Sequence, residues 1–196
     1  TGYSAGDYGT VKYSSSGELL WDAKYNGTGN GFDQATAISI DAIGNVYVTG
    51  QSVGNGTGFD FATIKYNPTG VELWNSRFND QGNSNDIAAA ICTDAMGSVY
   101  VTGNTYNGSN DDYTTIKYNP LGNELWIARY NGPGNQVDKG IAMYVDPKGN
   151  VFVTGMSIGT STQYDIATIK YSQGGPEAIP QLVSPAFGSS GIGQNP

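Results

Sequence analysis

Histidine is absent from this 196-residue sequence, and cysteine occurs once, at Cys92. Without imidazole, no side chain has an ordinary pKa near neutrality, and the commonest metal ligand and general base is missing. One thiol permits no internal disulfide. A chain this long can build a hydrophobic core without one, so cysteine usage does not decide the compartment. Positive charge is also scarce, with 9 Lys and Arg against 17 Asp and Glu, for a net charge of −8. Phosphate neutralisation needs clustered Lys and Arg, which argues against nucleic acid and anionic membrane surfaces as partners. No apolar run approaches the ~20 residues of a membrane helix. No window sustains the i, i+3, i+4, i+7 spacing of an amphipathic helix.

Glycine (29) and tyrosine (14) are abundant instead, which fits short strands joined by tight turns. The dominant signal is an internal repeat. V-Y-V-T-G occupies Val46–Gly50 and Val99–Gly103, and V-F-V-T-G occupies Val151–Gly155, at steps of 53 and 52 residues. A D-x-x-T-I/V-K-Y string starts at Asp7, Asp60, Asp112 and Asp165, and Trp21, Trp74 and Trp126 keep the same ruler. Thr1-Gly2 matches the end of the first string, so the sequence is expected to start inside a strand, with upstream residues belonging to the same protein.

Each period reads as four strands. The first is rich in small residues (Ala35, Ala37, Ala88, Ala90, Gly140, Ala142), which suits a crowded axis. An Asp-x-x-Gly-Asn/Ser turn leads into V-Y-V-T-G, then D-x-x-T-I-K-Y, and an Asn-Pro-x-Gly turn leads into the strand carrying tryptophan. Val46 and Val48 alternate with Tyr47 and Thr49, so both faces of the second strand are largely apolar and the sheet should be covered on both sides. Repeated four-stranded antiparallel sheets of this kind predict an all-β fold, a β-propeller in partial ring, with about three to four blades present. The last period lacks Glu-Leu-Trp, and its fourth strand is expected to come from elsewhere. Residues 1–175 are assigned to blades and 176–196, rich in Pro, Gly and Ser, to a linker.

The combined D-F-A-T-I-K-Y-N-P-T-G-V-E-L-W and G-N-V-Y-V-T-G pattern over roughly residues 1–171 resembles the bacterial SBBP β-propeller repeat family. That resemblance implies a propeller on a secreted or surface-anchored bacterial or archaeal protein, with no shared catalytic residues. Residues 179–196 also resemble the opening strand of the fibronectin- or immunoglobulin-like module that follows such propellers. The four-residue spacing from Gly70 to Trp74, and from Gly122 to Trp126, is similar to the tryptophan-docking turn of quinoprotein-type propellers.

Because the same residues recur in every period, most are expected to be structural. Trp21, Trp74 and Trp126 read as packing between blades rather than as sugar platforms. Lys12, Lys65, Lys117 and Lys170, with Lys24, Arg77 and Arg129, are expected to pair with Asp7, Asp60, Asp112 and Asp165 or with Asp33, Asp86 and Asp138. Asp80, Asp86, Asp111 and Asp112 are the irregular acidic positions, and calcium is the one cofactor they suggest. As carboxylate pairs they also raise glycosidase chemistry. Asn26, Asn55 and Asn107 head N-G-T or N-G-S tripeptides, and Cys92 reads as a packed residue. The functional expectation is a non-enzymatic extracellular structural or adhesive module whose ring is completed by other blades of its chain or by another chain. The alternative is a carbohydrate-binding or polysaccharide-cleaving propeller working through loops such as 54–58 and 107–112.

Overall fold

The computed structural model describes residues 2–4, 6–161, 163–172 and the strand 181–187. Four antiparallel sheets follow one another along the chain. The first holds β1 (Gly2–Ser4), β2 (Asp7–Tyr13) and β3 (Leu19–Tyr25). The second holds β4 (Asp33–Ile40), β5 (Val46–Val53), β6 (Phe59–Tyr66) and β7 (Glu72–Phe78). The third repeats this with β8 (Ile87–Thr93), β9 (Val99–Tyr106), β10 (Asp111–Tyr118) and β11 (Glu124–Tyr130). The fourth contains β12 (Asp138–Val145), β13 (Val151–Ile158), β14 (Tyr164–Ser172) and β15 (Gln181–Phe187). No helix occurs among the described residues. The chain is therefore an all-β run of propeller blades, open rather than closed.

Strand β15 corrects one expectation. The last blade does not lack a fourth strand, because β15 pairs antiparallel with β14, with Tyr171 opposite Leu182 and Ala167 opposite Phe187. Its sequence, Q-L-V-S-P-A-F, carries no Glu-Leu-Trp marker, so the repeat pattern could not reveal it. Pro185 lacks an N–H and is tolerated because β15 stands at the edge of its sheet. Part of the segment likened to a sandwich-module strand thus lies in the last blade. The rest, 179–180 and 188–196, falls outside the described residues.

The glycine of V-x-V-T-G has a structural cause. Opposite it, the innermost strand is bulged between Ala35 and Ala37, between Ala88 and Ala90, and between Gly140 and Ala142. A Cβ on Gly50, Gly103 or Gly155 would collide with the carbonyl oxygen of Gln34, Ile87 or Lys139. Only hydrogen fits where the backbones approach this closely.

The core lies between sheets. Tyr8 and Tyr25 of the first blade cover Val46, Val48, Ala62, Ile64 and Tyr66 of the second. Tyr47, Phe61 and Phe78 cover Val99, Val101, Ile116 and Tyr118 of the third. Tyr100, Tyr113, Trp126 and Tyr130 cover Val151, Val153, Ile169 and Tyr171 of the fourth. One face of each blade is aromatic, and the face it meets is mainly aliphatic with one tyrosine.

A tryptophan seals two of these joints. Trp21 reaches the second blade's Asn-Pro-Thr-Gly turn, where its Nε1–H donates to the Pro68 carbonyl at 3.1 Å, and Trp74 donates to the Pro120 carbonyl at 3.0 Å. A Cβ on Gly70 would lie 2.7 Å from the Trp21 ring, and one on Gly122 2.7 Å from the Trp74 ring. Both glycines also have positive φ, 86° and 84°. The docking site is therefore the turn of the following blade, Gly70 and Gly122 included.

Gly17 has the same φ, 86°, but nothing lies within 4 Å of its would-be Cβ. Gly17→Ala is expected to cost about 1–2 kcal/mol, the backbone penalty alone. Gly70→Ala should cost more, because the indole must also move. Trp74→Ala should cost about 3–5 kcal/mol. Urea unfolding of the three variants measures this order, and equal costs for the two glycines would refute the docking account.

Candidate functional site

The polar residues of the repeat separate to the two ends of the blades. At one end stand Asp33, Asp86 and Asp138, almost wholly buried at or just before the start of the innermost strands. One oxygen of each accepts the backbone N–H of Gly27 (2.6 Å), Asp80 (2.7 Å) or Gly132 (2.6 Å). The other accepts that of Val53 (3.0 Å), Tyr106 (3.4 Å) or Ile158 (3.3 Å). Each carboxylate thus ties the loop arriving from the previous blade to the end of its own second strand. Burial, helped by the negative charges of Asp80 and Asp60, pushes the Asp86 carboxyl up to about 6 against the pull of its two N–H donors.

Beside this row, Arg77 donates to Asp60 Oδ2 at 2.8 Å, to Ser52 Oγ at 2.5 Å and, across the blade boundary, to the Tyr25 hydroxyl at 3.1 Å. Arg129 departs from that pattern. It clasps Asp80 with two bonds of 2.8 and 3.0 Å, while the Thr105 hydroxyl donates to Asp80 at 2.8 Å. Asp80 stands where the other periods have Gly27 and Gly132, so a charge is present in this loop alone. Burial alone would raise its carboxyl, but the bonds from Arg129, the Gln81 N–H and Thr105 hold it below the usual range. Asp112 accepts from Asn107 Nδ2 at 2.6 Å, and burial with nearby Asp138 raises its pKa. Asp111 faces Lys139 at 3.4 Å. The four irregular acids therefore each have partners of their own, Asp86 taking the Asp80 backbone N–H as one of its two donors. Among the described residues, no group of three or more Asp, Glu or Cys is placed to hold a metal ion.

Arg77 meets Asp60, as the sequence reading expected, but the strand-three lysines Lys12 and Lys65 turn to other acceptors. Lys12 and Lys65 donate to the Pro68 and Pro120 carbonyls, both at 3.2 Å, sharing those acceptors with the tryptophans. Lys65, Lys117 and Lys170 lie 5.1, 5.2 and 5.6 Å from the ring centroids of Tyr47, Tyr100 and Phe152. The cause is spacing. In D-x-x-T-I-K-Y the acid and the lysine are five residues apart on one extended strand, roughly 16 Å at the rise of a β-strand. Asp7 opens β2 and Asp165 is the second residue of β14, so both begin the strand that ends in lysine. Lys24, on the open side of the first blade, is exposed.

At the lysine end the sequence reading missed one bond. The Tyr47 hydroxyl donates to Asp41 at 3.0 Å and the Tyr100 hydroxyl to Asp94 at 2.9 Å, so each hairpin turn is held by the tyrosine six residues on. The Asp…Tyr spacing within the repeat was the available signal. In the fourth blade Phe152 removes the bond, and Asp146 keeps only the Asn150 side-chain donor, at 2.7 Å, that Asp41 likewise receives from Asn45.

The open concavities lie between blades. Grooves of about 430 and 460 Å³ follow the lysine end, the first beside Tyr47 and Lys65 and the second beside Tyr100 and Lys117. One of about 320 Å³ at the acidic end is lined by Ser84, Asn85, Ile87, Asn104, Tyr106 and Asp111. Cys92 is half-buried, and burial pushes its thiol up to about 12, so it stays protonated and unreactive. Of the three acceptor-type asparagines, Asn26 and Asn107 are bound to Asn30 and Asp112, and Asn55 is exposed.

With this geometry in view, the comparisons with known proteins agree on architecture. A model of the β-propeller repeat SBBP matches residues 125–161, from β11 to β13. These repeats are propeller blades. A distant relative is an uncharacterized WD repeat-containing protein of Acanthamoeba polyphaga mimivirus, 24% identical over 191 residues. The match covers 74% of this chain and 14% of that protein, so the chain spans a small part of its relative's length.

The raised Asp86 carboxyl gives a pH signature. Its ordinary unfolded value is about 3.9, so between about pH 4 and pH 6 the folded blade holds a proton that the unfolded chain has released. That contribution to stability is full at low pH and fades as pH rises through 6. Asp86→Asn should therefore destabilise more at pH 4.5 than at pH 6.5 when urea midpoints are compared. A gap that widens with pH would show that the carboxylate, not the acid, is the native form.

Proposed function

We propose that this chain is a non-enzymatic propeller segment that works as a structural or adhesive module of a larger bacterial or archaeal surface protein, with another protein as its partner. The observation that carries this reading is the engagement of the polar repeat residues in holding blades together. Asp33, Asp86 and Asp138 tie loops, Arg77 and Arg129 are clasped by carboxylates, and two of the tryptophans are docked on turns. Buried acids with backbone donors are poor general acids or bases, since neither can reach a substrate proton. Protein binding suits stacked blades with grooves at the second and third joints, and the net charge of −8 favours a partner or ion atmosphere of positive sign. The extracellular placement rests on the resemblance to SBBP proteins and is part of the proposal.

A second reading has one observation in its favour. The groove at Asn85, Asn104 and Tyr106 offers amide groups beside an aromatic ring, a combination suited to sugars. The two readings are separated by binding the chain to immobilised cell-envelope material of its source before and after treatment. Loss of binding after protease, with periodate oxidation harmless, is the expected result. Loss after periodate alone would favour the glycan reading, and measurable turnover of a polysaccharide or ester would overturn the non-enzymatic one.

A further inference from the structure

Three positions at the acidic end of each blade share one face and differ from repeat to repeat. In the third blade they are Asn104 and Tyr106 on β9 and Asp111 on β10, which stands opposite Tyr106. Alternation along the strands puts all three on the side of Tyr113, which lies opposite Asn104 and packs on the fourth blade. The second blade has Gln51, Val53 and Phe59 at these places, and the fourth has Met156, Ile158 and Tyr164. Gln51 is satisfied, since its Nε2–H donates to Gln34 Oε1 at 3.4 Å. Asn104 meets Ile87 where Gln51 meets Gln34, and isoleucine offers no hydrogen bond. Among the described residues no hydrogen bond reaches the Asn104 side chain, although Asn104 is only 7% exposed. It lines the groove of about 320 Å³ together with Tyr106 and Asp111. An unpaired buried amide costs roughly 1–3 kcal/mol, and a ligand that pairs with it recovers that cost.

We propose that this groove receives an arginine side chain of a protein partner, its guanidinium donating to Asn104 Oδ1 and the Asp111 carboxylate while Tyr106 packs on its plane. The proposal rests on the reading of the chain as a protein-binding module and names the contact. A guanidinium carries donors only, keeps its charge, and stacks on aromatic rings, so an acceptor, a carboxylate and a ring together match it. Asp111 is available. Its partner Lys139 stands at 3.4 Å, with the two side chains 24% and 40% exposed. An exposed pair of this kind is worth about 0–1 kcal/mol, so Lys139 can yield the carboxylate and turn to water. Asn85 already spends its oxygen on the Phe59 N–H at 3.0 Å, which leaves Asn104 as the open amide. The net charge of −8 draws a cation to the groove, whereas a neutral sugar gains nothing from it. Neither neighbouring blade combines amide, ring and carboxylate at these positions, so the site is single and reads one residue of the partner.

Titration of the chain with N-acetyl-arginine methylamide, followed by NMR at the Asn104 side-chain amide and the Tyr106 ring, tests this. Both signals should shift and saturate. The citrulline analogue, of the same shape without charge, should bind roughly tenfold more weakly, and this comparison needs no variant. Asp111→Asn should lose roughly tenfold in arginine affinity, and Asn104→Met, which copies the fourth blade, a similar factor. Lys139→Gln, which copies Gln34 of the second blade, removes the competing cation and should tighten binding; a merely structural role for Asp111 would not produce that gain. Absence of a shift at Asn104 with arginine, equal binding of citrulline, or a shift produced by methyl glucoside and not by arginine would overturn the proposal, the last in favour of a sugar site. If the arginine probe fails while protease-sensitive binding to envelope material persists, this site falls and the protein-binding reading stands. If arginine binds while envelope binding resists protease, the protein-binding reading falls, so the two failures are distinguishable.

Discussion

Aromatic side chains of one blade lying on the aliphatic face of the next are what the structure depends on. A single four-stranded sheet has two faces to cover and can cover neither alone. In this chain the second strand is buried along V-Y-V-T-G in the second and third blades, so each sheet requires a neighbour on both sides. Burial of apolar area at about 25 cal/mol per Å² makes these joints the main source of stability. The hydrogen bonds between blades add direction: indole to proline carbonyl, arginine to the previous blade's tyrosine.

The polar residues are arranged around that packing. Strand three carries aspartate at one end and lysine at the other, and the strand's length keeps them apart. Aspartates then find backbone amides and arginines at one end, and lysines find carbonyls and aromatic faces at the other. A chain with so little positive charge places much of it on structural contacts. The repeat is consequently a poor guide to activity and a good guide to architecture.

Differences between blades are more informative. Asp80 replaces a glycine and recruits Arg129 from the outer strand of the third blade. Phe152 replaces a tyrosine and removes one bond to a turn aspartate that its own hairpin still holds. β15 completes its sheet without a tryptophan. Each change leaves the blade intact while altering a surface or a joint, which is where a repeat protein acquires specificity.

The sequence by itself determined the class of fold, the number of strands per repeat, the turns and the role of glycine in them. A regular period of apolar alternation and turn residues is local information, and it survives without knowledge of the neighbours. It also marked Trp21, Trp74 and Trp126 by their period, although not the turn on which Trp21 and Trp74 dock, because that turn lies 46–47 residues away in the next blade. Which acid meets which base was decided only by the tertiary structure: residues that look like partners along one strand point to opposite ends of it, and Asp80 finds Arg129 49 residues on. The fourth strand of the last blade was likewise decided by pairing with β14, since a backbone ladder accepts a sequence that carries none of the repeat's side-chain marks.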